Sequence, residues 1–485
     1  MREEILMKNI VINKQKHIVS SACCLLLVTF LMSCSHGKSL WSKYERPDSI
    51  LHATAVSSVL RDAAAIEGSD SVGFGGVKWQ DVFTDHQLRV LIEMGLEQNA
   101  DIFAASANIQ KMEAALKAAR LAFLPQIALS PSGTLAKVVT GDKKSDWNKS
   151  YALPVSASWT VDIFGNILAT KRGAEVQLAM MKDYKHVTRS KVICGIANCY
   201  YTLLMLDRQL EILNDMETLT AETYQMMKLQ KELRGAKETA VVSAQAANLS
   251  VKTQIVDMKR QISEVENTLS TLVGMHAQSI SRGKLADQSL PEDFSTGVAI
   301  NVLASRPDVH AAEMTLANCF YDVKKAQSAF YPSLKITGTG SFTNSLGNAV
   351  SNPGQFLANF VGALTQPIFM NGRLTAQLKA AKLSYEVAEK DWQQAVLEAG
   401  AEVSDCFVEY NSSKEMGDLE RQRVEALKKS VDYTMMLYKM GTSTYLEVIS
   451  AQSSLLNAEI SQVTDDFNKM QAVVNLYSAL GGGKE

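Results

Sequence analysis

The chain has 485 residues, 46% of them hydrophobic and 21% charged. That is enough apolar material for a sizeable core, and it excludes a disordered or collagen-like chain. A formal net charge of -2 gives no electrostatic footprint for nucleic acid.

The first element is an apolar stretch over 18–32, preceded by Lys8, Lys14 and Lys16. It is short for a membrane span and of ordinary length for a signal-peptide core. It ends in Leu31-Met32-Ser33-Cys34, which resembles a bacterial lipobox. Removal of residues 1–33 and acylation of Cys34, palmitate included, are the expectation; an ordinary signal peptide with a chance cysteine is the alternative. Glu3 and Glu4 are unusual so early in a signal, so Met7 is an alternative start. Cys194, Cys199, Cys319 and Cys406 form neither a CxxC nor a zinc pattern. They read as small helical residues without disulfides.

Self-comparison finds a repeat at an offset of 207 residues. Asp101-Ile102 matches Asp308-Val309, Phe123-Leu124-Pro125 matches Phe330-Tyr331-Pro332, Ser243-Ala244-Gln245 matches Ser450-Ala451-Gln452, and Gly274 matches Gly481. The offset dips to 205 where Ile163-Phe164 matches Ile368-Phe369. Each half opens with an alanine-rich helix, over 101–121 and 308–329, that stops at an X-Pro step. A region rich in Ser, Thr, Gly and aromatics follows. Alternation there predicts two strands per half, at 127–139 and 151–164, then at 334–342 and 356–369. The clusters at 141–145 and 351–354 are turn signals.

A long helical tract closes each half. None of the 9 prolines lies between Pro154 and Pro291 or after Pro367, so both tracts are free to be helical. Ile255, Met258, Ile262, Val265, Leu269 and Leu272 alternate steps of three and four, as do Leu456, Ile460, Val463, Phe467, Met470 and Val474. That is the a/d pattern of a coiled coil. Gly235 and Gly441 mark matching bends, and 167–233 reads as one helix of roughly 100 Å.

The fold class is therefore mainly α with a membrane β-barrel. Four strands cannot stand open in a bilayer, since unpaired edges are too costly there and barrels need about 8 strands or more. The strands must close with other copies of the chain, or stay out of the membrane. A helical bundle with stray hairpins is the alternative.

The motifs carry a resemblance. Trp79-Gln80-Asp81-Val82-Phe83-Thr84-Asp85 with Asn99-Ala100-Asp101, and later Leu303-Ala304-Ser305-Arg306-Pro307-Asp308-Val309 with Phe330-Tyr331-Pro332-Ser333, resemble the TolC-like outer-membrane efflux channels. The match is closest to the NodT/OprM-like lipoprotein branch that serves RND-type pumps. It places the first repeat at 79–275 and the second at 301–481, with a lipid-anchored linker at 34–78, an inter-repeat linker at 276–300 and a tail at 482–485. The resemblance implies a homotrimer with a 12-stranded barrel in outer-membrane lipid. It also implies a periplasmic α-barrel that meets a membrane-fusion adaptor and an inner-membrane RND-type pump. Such a duct conducts small molecules passively, without nucleotide or cofactor. A type I protein-secretion duct and a pore-less lipid-anchored scaffold are the rival functions.

The 7 histidines are scattered, and no HExxH, GxSxG or P-loop occurs, so no enzyme or resident metal is expected. The segment 438–450 resembles the tip of the family's second hairpin, where three subunits narrow the periplasmic aperture. Within the resemblance, Glu447 falls on an acidic ring position, Leu446 on a hydrophobic ring position and Tyr438 on a latch tyrosine. Ser450 stands where an aspartate is usual and Ser443 where the latch has an arginine, and in half one no acid sits at the matched latch position near Val241. These departures argue against a salt-bridged latch. Met226-Met227 and Met435-Met436 carry thioethers that suit Cu(I), but methionine in helical packing is far commoner. Trp159 and Phe164 near strand ends fit either membrane-interface aromatics or ordinary strand packing.

Overall fold

The computed structural model describes residues 40–47, 76–137, 139–140, 143–144, 147–234, 237–291, 306–343 and 355–483. Cys34, the signal segment, Gly235, residues 303–305, the turn cluster at 351–354 and most of that at 141–145 lie outside them. The chain forms two compact units, each drawing on both repeats. One takes 1–46, 111–179 and 313–390; the other takes 47–110, 180–312 and 391–485.

In chain order the helices are α1 (Trp79–Val82), α2 (His86–Gln98), α3 (Ala100–Leu121), α4 (Asn166–Arg234), α5 (Glu238–Val273), α6 (Pro307–Ser328), α7 (Arg373–Lys439) and α8 (Tyr445–Ala479). The proline-free tracts are long helices indeed: α4 has 69 residues and α7 has 67. No described helix is long and apolar enough to cross a membrane.

The first unit is built around a sheet. Its strands are β1 (Gln126–Leu129), β2 (Ser132–Ala136), β5 (Asn148–Val161), β6 (Ser333–Thr343) and β7 (Gln355–Thr365), and a separate ribbon joins β3 (Val139–Thr140) to β4 (Lys143–Lys144). β1 and β2 both pair with β5, and the order continues through β6 to β7, antiparallel throughout. The sheet thus has four lanes, the number expected, with three differences. The lane expected over 127–139 breaks at Ser130-Pro131, where Ser130 N–H still reaches Pro154 O at 3.1 Å, while Pro131 has no N–H to continue the ladder. β5 ends at Val161 because the Asp162 carboxylate turns to accept the Leu168 N–H at 2.7 Å. β7 ends at Thr365, two residues before Pro367. Phe164 and Phe369 therefore stand outside the strands.

Register sorts the two faces. Residues directly opposite in a ladder share a face. Leu153 lies opposite Phe342, Trp159 opposite Ile336, and Ile127 opposite Ala157. Phe342 in turn lies opposite Phe356, and Leu334 opposite Leu364. The other face carries Ser156 opposite Thr339, Ser158 opposite Thr337, and Thr339 opposite Asn359. One face is apolar across all four lanes and the other is mostly Ser, Thr and Asn. The apolar face is open: Phe360 is 83% exposed and Ile127 74%. Phe360 and Phe356 lie over Gly338 and Gly340, where a Cβ would come within 3.0 and 3.1 Å of the rings. Aromatic cover of strand glycines helps pin register.

The second unit has an apolar core. All twelve a/d residues predicted for the coiled coils belong to it, with Leu269 and Val474 fully buried. Tyr200, Tyr477 and Phe83 are buried with them. Among the described residues the four cysteines are free; Cys194 and Cys406 are buried, and Cys199 and Cys319 partly so.

The repeat persists in atomic detail. α5 ends with Gly274 at φ 86°, the Gly274 N–H on Thr271 O and the Met275 N–H on Ser270 O. α8 ends with Gly481 at φ 77°, the Gly481 N–H on Ser478 O and the Gly482 N–H on Tyr477 O. Both are Schellman caps, which need a left-handed residue at this place. Asn99 donates to Leu272 O at 2.9 Å, and its image Arg306 donates to Ala479 O at 2.6 Å. Trp159 Nε1 donates to Phe123 O and Gln366 Nε2 to Phe330 O, both at 2.9 Å. Every one of these pairs keeps the offset of 207.

Candidate functional site

The candidate site is the end of the second helix hairpin, where α7 turns into α8. α7 stops in a Schellman cap: the Gly441 N–H bonds Tyr438 O and the Thr442 N–H bonds Leu437 O, each at 3.0 Å. Gly441 sits at φ 84°, a conformation that costs glycine little. Thr444 then starts α8 in a capping box with Glu447. The turn is thus fixed at both sides by its own backbone, as the Gly-x-x-Thr-x-x-Glu spacing of the sequence dictates.

Glu447 takes a local part in this. Its carboxylate accepts from the Ser443 hydroxyl and from the Thr444 N–H at 3.3 Å. These bonds, the Ser443 one foremost, hold its pKa below the ordinary value. Ser443 serves here as the partner of Glu447. Leu446 is 59% exposed, and Glu447 and Ser450 are exposed too. With spacings of one, three and four they share one face of the first turns of α8.

Tyr438 lies apart from that face. Its hydroxyl donates to Gln230 Oε1 on α4 at 2.5 Å, beside the Met227 thioether. Its ring packs with Tyr445 and Ile449 on a small cluster of Met227, Ala240, Val241 and Ala244. Burial pushes the Tyr438 hydroxyl pKa up, so it stays a neutral donor. The structure therefore brings Leu446, Glu447 and Ser450 together and sends Tyr438 to the first hairpin. Higher along the hairpins, Gln452 donates to Thr223 at 2.9 Å and Gln209 to Thr464 at 3.1 Å. These ties between hairpins are neutral. Ion pairs such as Lys252–Glu217 and Lys428–Glu459 lie within one hairpin.

Sequence reasoning missed Gln230 and Met227 as the partners of Tyr438. An uncharged hydrogen bond between residues 208 positions apart leaves no local signature. It also missed the role of Arg306, which is buried and bonds Asp308 and Glu402, each at 2.7 Å. The methionine pairs separate: Met227 is fully buried in the tip cluster and Met436 is 59% exposed, which fits packing. Trp159 is tied to the Phe123 carbonyl, and Phe164 stacks on Tyr331 at 4.8 Å.

A sheet with one open apolar face and helices of nearly seventy residues fit a channel-forming membrane protein. The sequence matches the outer membrane efflux protein family over residues 91–275 and 299–482, and the chain belongs to that family. It is an outer-membrane channel and not an enzyme. The Cation efflux system protein CusC of Escherichia coli (strain K12) is 23% identical over 465 residues, 95% of this chain and 99% of that protein. The Probable outer membrane lipoprotein SilC of Salmonella typhimurium is 22% identical over 464 residues, 95% of this chain and 98% of that one. Among solved structures, the outer-membrane channel OprN superposes with a TM-score of 0.80 at 21% identity, covering 91% of this chain and 99% of that chain.

Proposed function

We propose that the protein is the outer-membrane exit duct of a tripartite RND-type efflux system. Three copies would close a 12-stranded barrel in outer-membrane lipid. Their helices would meet a periplasmic membrane-fusion adaptor and an inner-membrane RND-type pump, and small molecules would pass without energy input from the duct itself. The observation that carries this is the sheet: among the described residues it has four lanes, one apolar face open to the surroundings, and an edge on each outer strand with no partner strand. An open edge in hydrocarbon is prohibitive, and closure by several chains removes it. Three sets of four lanes fall within the known range of membrane barrels. A pore-less scaffold has no use for such a face.

The two repeats are proposed to fold at 79–275 and 301–481. Cys34 is proposed as the lipid attachment site, in keeping with the lipoprotein name borne by SilC. At the aperture, Leu446, Glu447 and Ser450 from each copy would form rings, and Tyr438 would fasten the two hairpins of one copy through Gln230. Three carboxylates near an axis raise one another's pKa; the Ser443 and Thr444 bonds act in the opposite direction and keep Glu447 ionised. The ring would favour cations, and closure would rest on Leu446.

Single-channel recording in planar bilayers tests this. The duct conducts, Leu446→Ala raises resting conductance more than Glu447→Ala does, and Glu447→Ala lowers cation selectivity and block by trivalent cations. Absence of conductance from purified oligomer refutes the duct. Unchanged selectivity and block in Glu447→Ala removes the ring. Palmitate labelling of the wild type, lost in Cys34→Ser, tests the anchor; equal labelling refutes it.

A further inference from the structure

The repeat relates contacts made inside the chain to surfaces left open on it. At the end of α6 the segment Phe330-Tyr331-Pro332 turns the helix into β6. There Phe164, which follows β5 in the other half, stacks on Tyr331 with centroids 4.8 Å apart and planes 18° apart. Both rings are half-buried. This junction joins the strand exit of half one to the helix end of half two.

The images of these two residues are Phe369 and Leu124, by the matches of Phe164 with Phe369 and of Tyr331 with Leu124. Neither is covered. Phe369 is 80% exposed and its neighbour Ile368 95%, while Leu124 is 57% exposed and nearby Leu121 52%. The equivalence of the helix ends is not sequence alone. The Leu124 N–H bonds Leu121 O as the Tyr331 N–H bonds Ser328 O, and the Phe123 and Phe330 carbonyls accept repeat-related bonds from Trp159 and Gln366. Leu124 precedes β1 and Phe369 follows β7, and these strands belong to opposite edges of the sheet. The open strand exit and the open helix end are complementary halves of a junction that the chain completes once and leaves incomplete once.

We infer that Ile368 and Phe369 of one copy pack on Leu124 of a second copy, repeating between chains the contact of Phe164 with Tyr331 within one. The inference rests on the oligomer proposed above and names a contact that holds it together. Such a contact is head-to-tail, and it produces a closed ring when the rotation closes. The local backbone is built for outward reach. Half one enters α4 directly after Gly165 at φ 74°, whereas half two places Met370 and Asn371 between Phe369 and Gly372, with Asn371 at φ 51° and Gly372 at φ 76°. β7 also ends two residues nearer to its phenylalanine than the hairpin register of half one would give, since Thr365 pairs with Ser333 as Ser158 pairs with Gln126. Two residues are thus taken from the strand exit and two added before the helix, which shifts Ile368-Phe369 relative to the self-contained junction. Leucine in place of tyrosine at 124 makes the contact aromatic on aliphatic rather than ring on ring.

The test is cross-linking of the full chain in detergent, with Cys194, Cys199, Cys319 and Cys406 replaced by alanine. Leu124→Cys with Phe369→Cys, treated with a short bis-maleimide, should give covalent species of two and three copies on a denaturing gel. Either single variant should give at least tenfold less. Phe164→Cys with Tyr331→Cys is the control for reach and should couple within one chain. If native mass spectrometry gives an oligomer and the control couples, but the 124/369 pair does not join chains, the inference fails and the oligomer stands. If the protein is a folded monomer, both fall. Because a double variant can fail to assemble, Phe369→Cys alone supplies a second readout. Its maleimide labelling in native membranes should be at least tenfold slower than after denaturation, and equal rates overturn the contact.

Discussion

The helical unit and the sheet unit solve the burial problem in opposite ways. In the helical unit, Tyr200, Leu269 and Val474 are fully buried by side chains of the same chain. In the sheet unit, Phe360 and Ile127 stand open although they lie in regular, well-paired strands. The inner strands β5 and β6 are hydrogen-bonded on both sides, yet the a/d seams of the helices are packed within the chain and the apolar face of the sheet is not. The coiled-coil part is stabilised by its own a/d seams, whereas under the proposed function the sheet is completed by lipid on one face and by further strands at its edges.

The comparison can be broken most forcefully at a core position. Leu269→Ala leaves a cavity at a fully buried site and should cost about 2–5 kcal/mol. Thermal or denaturant unfolding followed by helical circular dichroism should show that loss in every detergent or lipid tried. On the sheet, Phe360→Arg should cost about 2–4 kcal/mol if the residue faces the middle of a bilayer, seen as a lower yield of folded oligomer in the outer-membrane fraction. Thr339→Arg, on the polar face of the adjacent strand, should leave that yield near wild type. Equal losses from both substitutions would mean that the faces have been assigned wrongly.

Smaller effects belong to the hairpin end. Tyr438→Phe removes the hydroxyl that bonds Gln230 and should cost roughly 0.5–1.5 kcal/mol, with more frequent channel opening and no change of ion selectivity. The smallest effect concerns Glu447. Its folded-state pKa lies below the ordinary 4.5, so its contribution to the cap is present above that value and is lost as pH falls through the folded pKa. The Thr444 amide, whose N–H bonds the carboxylate, should therefore lose protection relative to its intrinsic exchange rate on acidification in the wild type. Glu447→Gln keeps an acceptor for both bonds and should show protection independent of pH, while Glu447→Ala should be unprotected at every pH. A flat wild-type profile would refute the cap.

Much of this was legible in the sequence, for physical reasons that differ by element. The a/d seams were readable because burial on a helix repeats with the helix period, and Phe123-Leu124-Pro125 was readable as a helix stop because proline constrains the residue before it. The break at Ser130-Pro131 was hidden because alternation resumes in phase after it, so the pattern survives although the ladder does not. Glu447 was read from its place in the family pattern, whereas its bonds to Ser443 and Thr444 follow from a capping spacing that the sequence already contained. Gln230 was beyond reach: its contact with Tyr438 depends on how α4 and α7 pack. The exposed pair Ile368-Phe369 was visible as a repeat element, but only the coordinates separate it from its packed image.

The decisive count is of chains per particle. Native mass spectrometry of protein extracted in mild detergent should give three copies, since four lanes per chain then make 12 strands with no edge left open. A stable, folded monomer that keeps its sheet in detergent would contradict the account, because the open edges and the apolar face would then need no second chain.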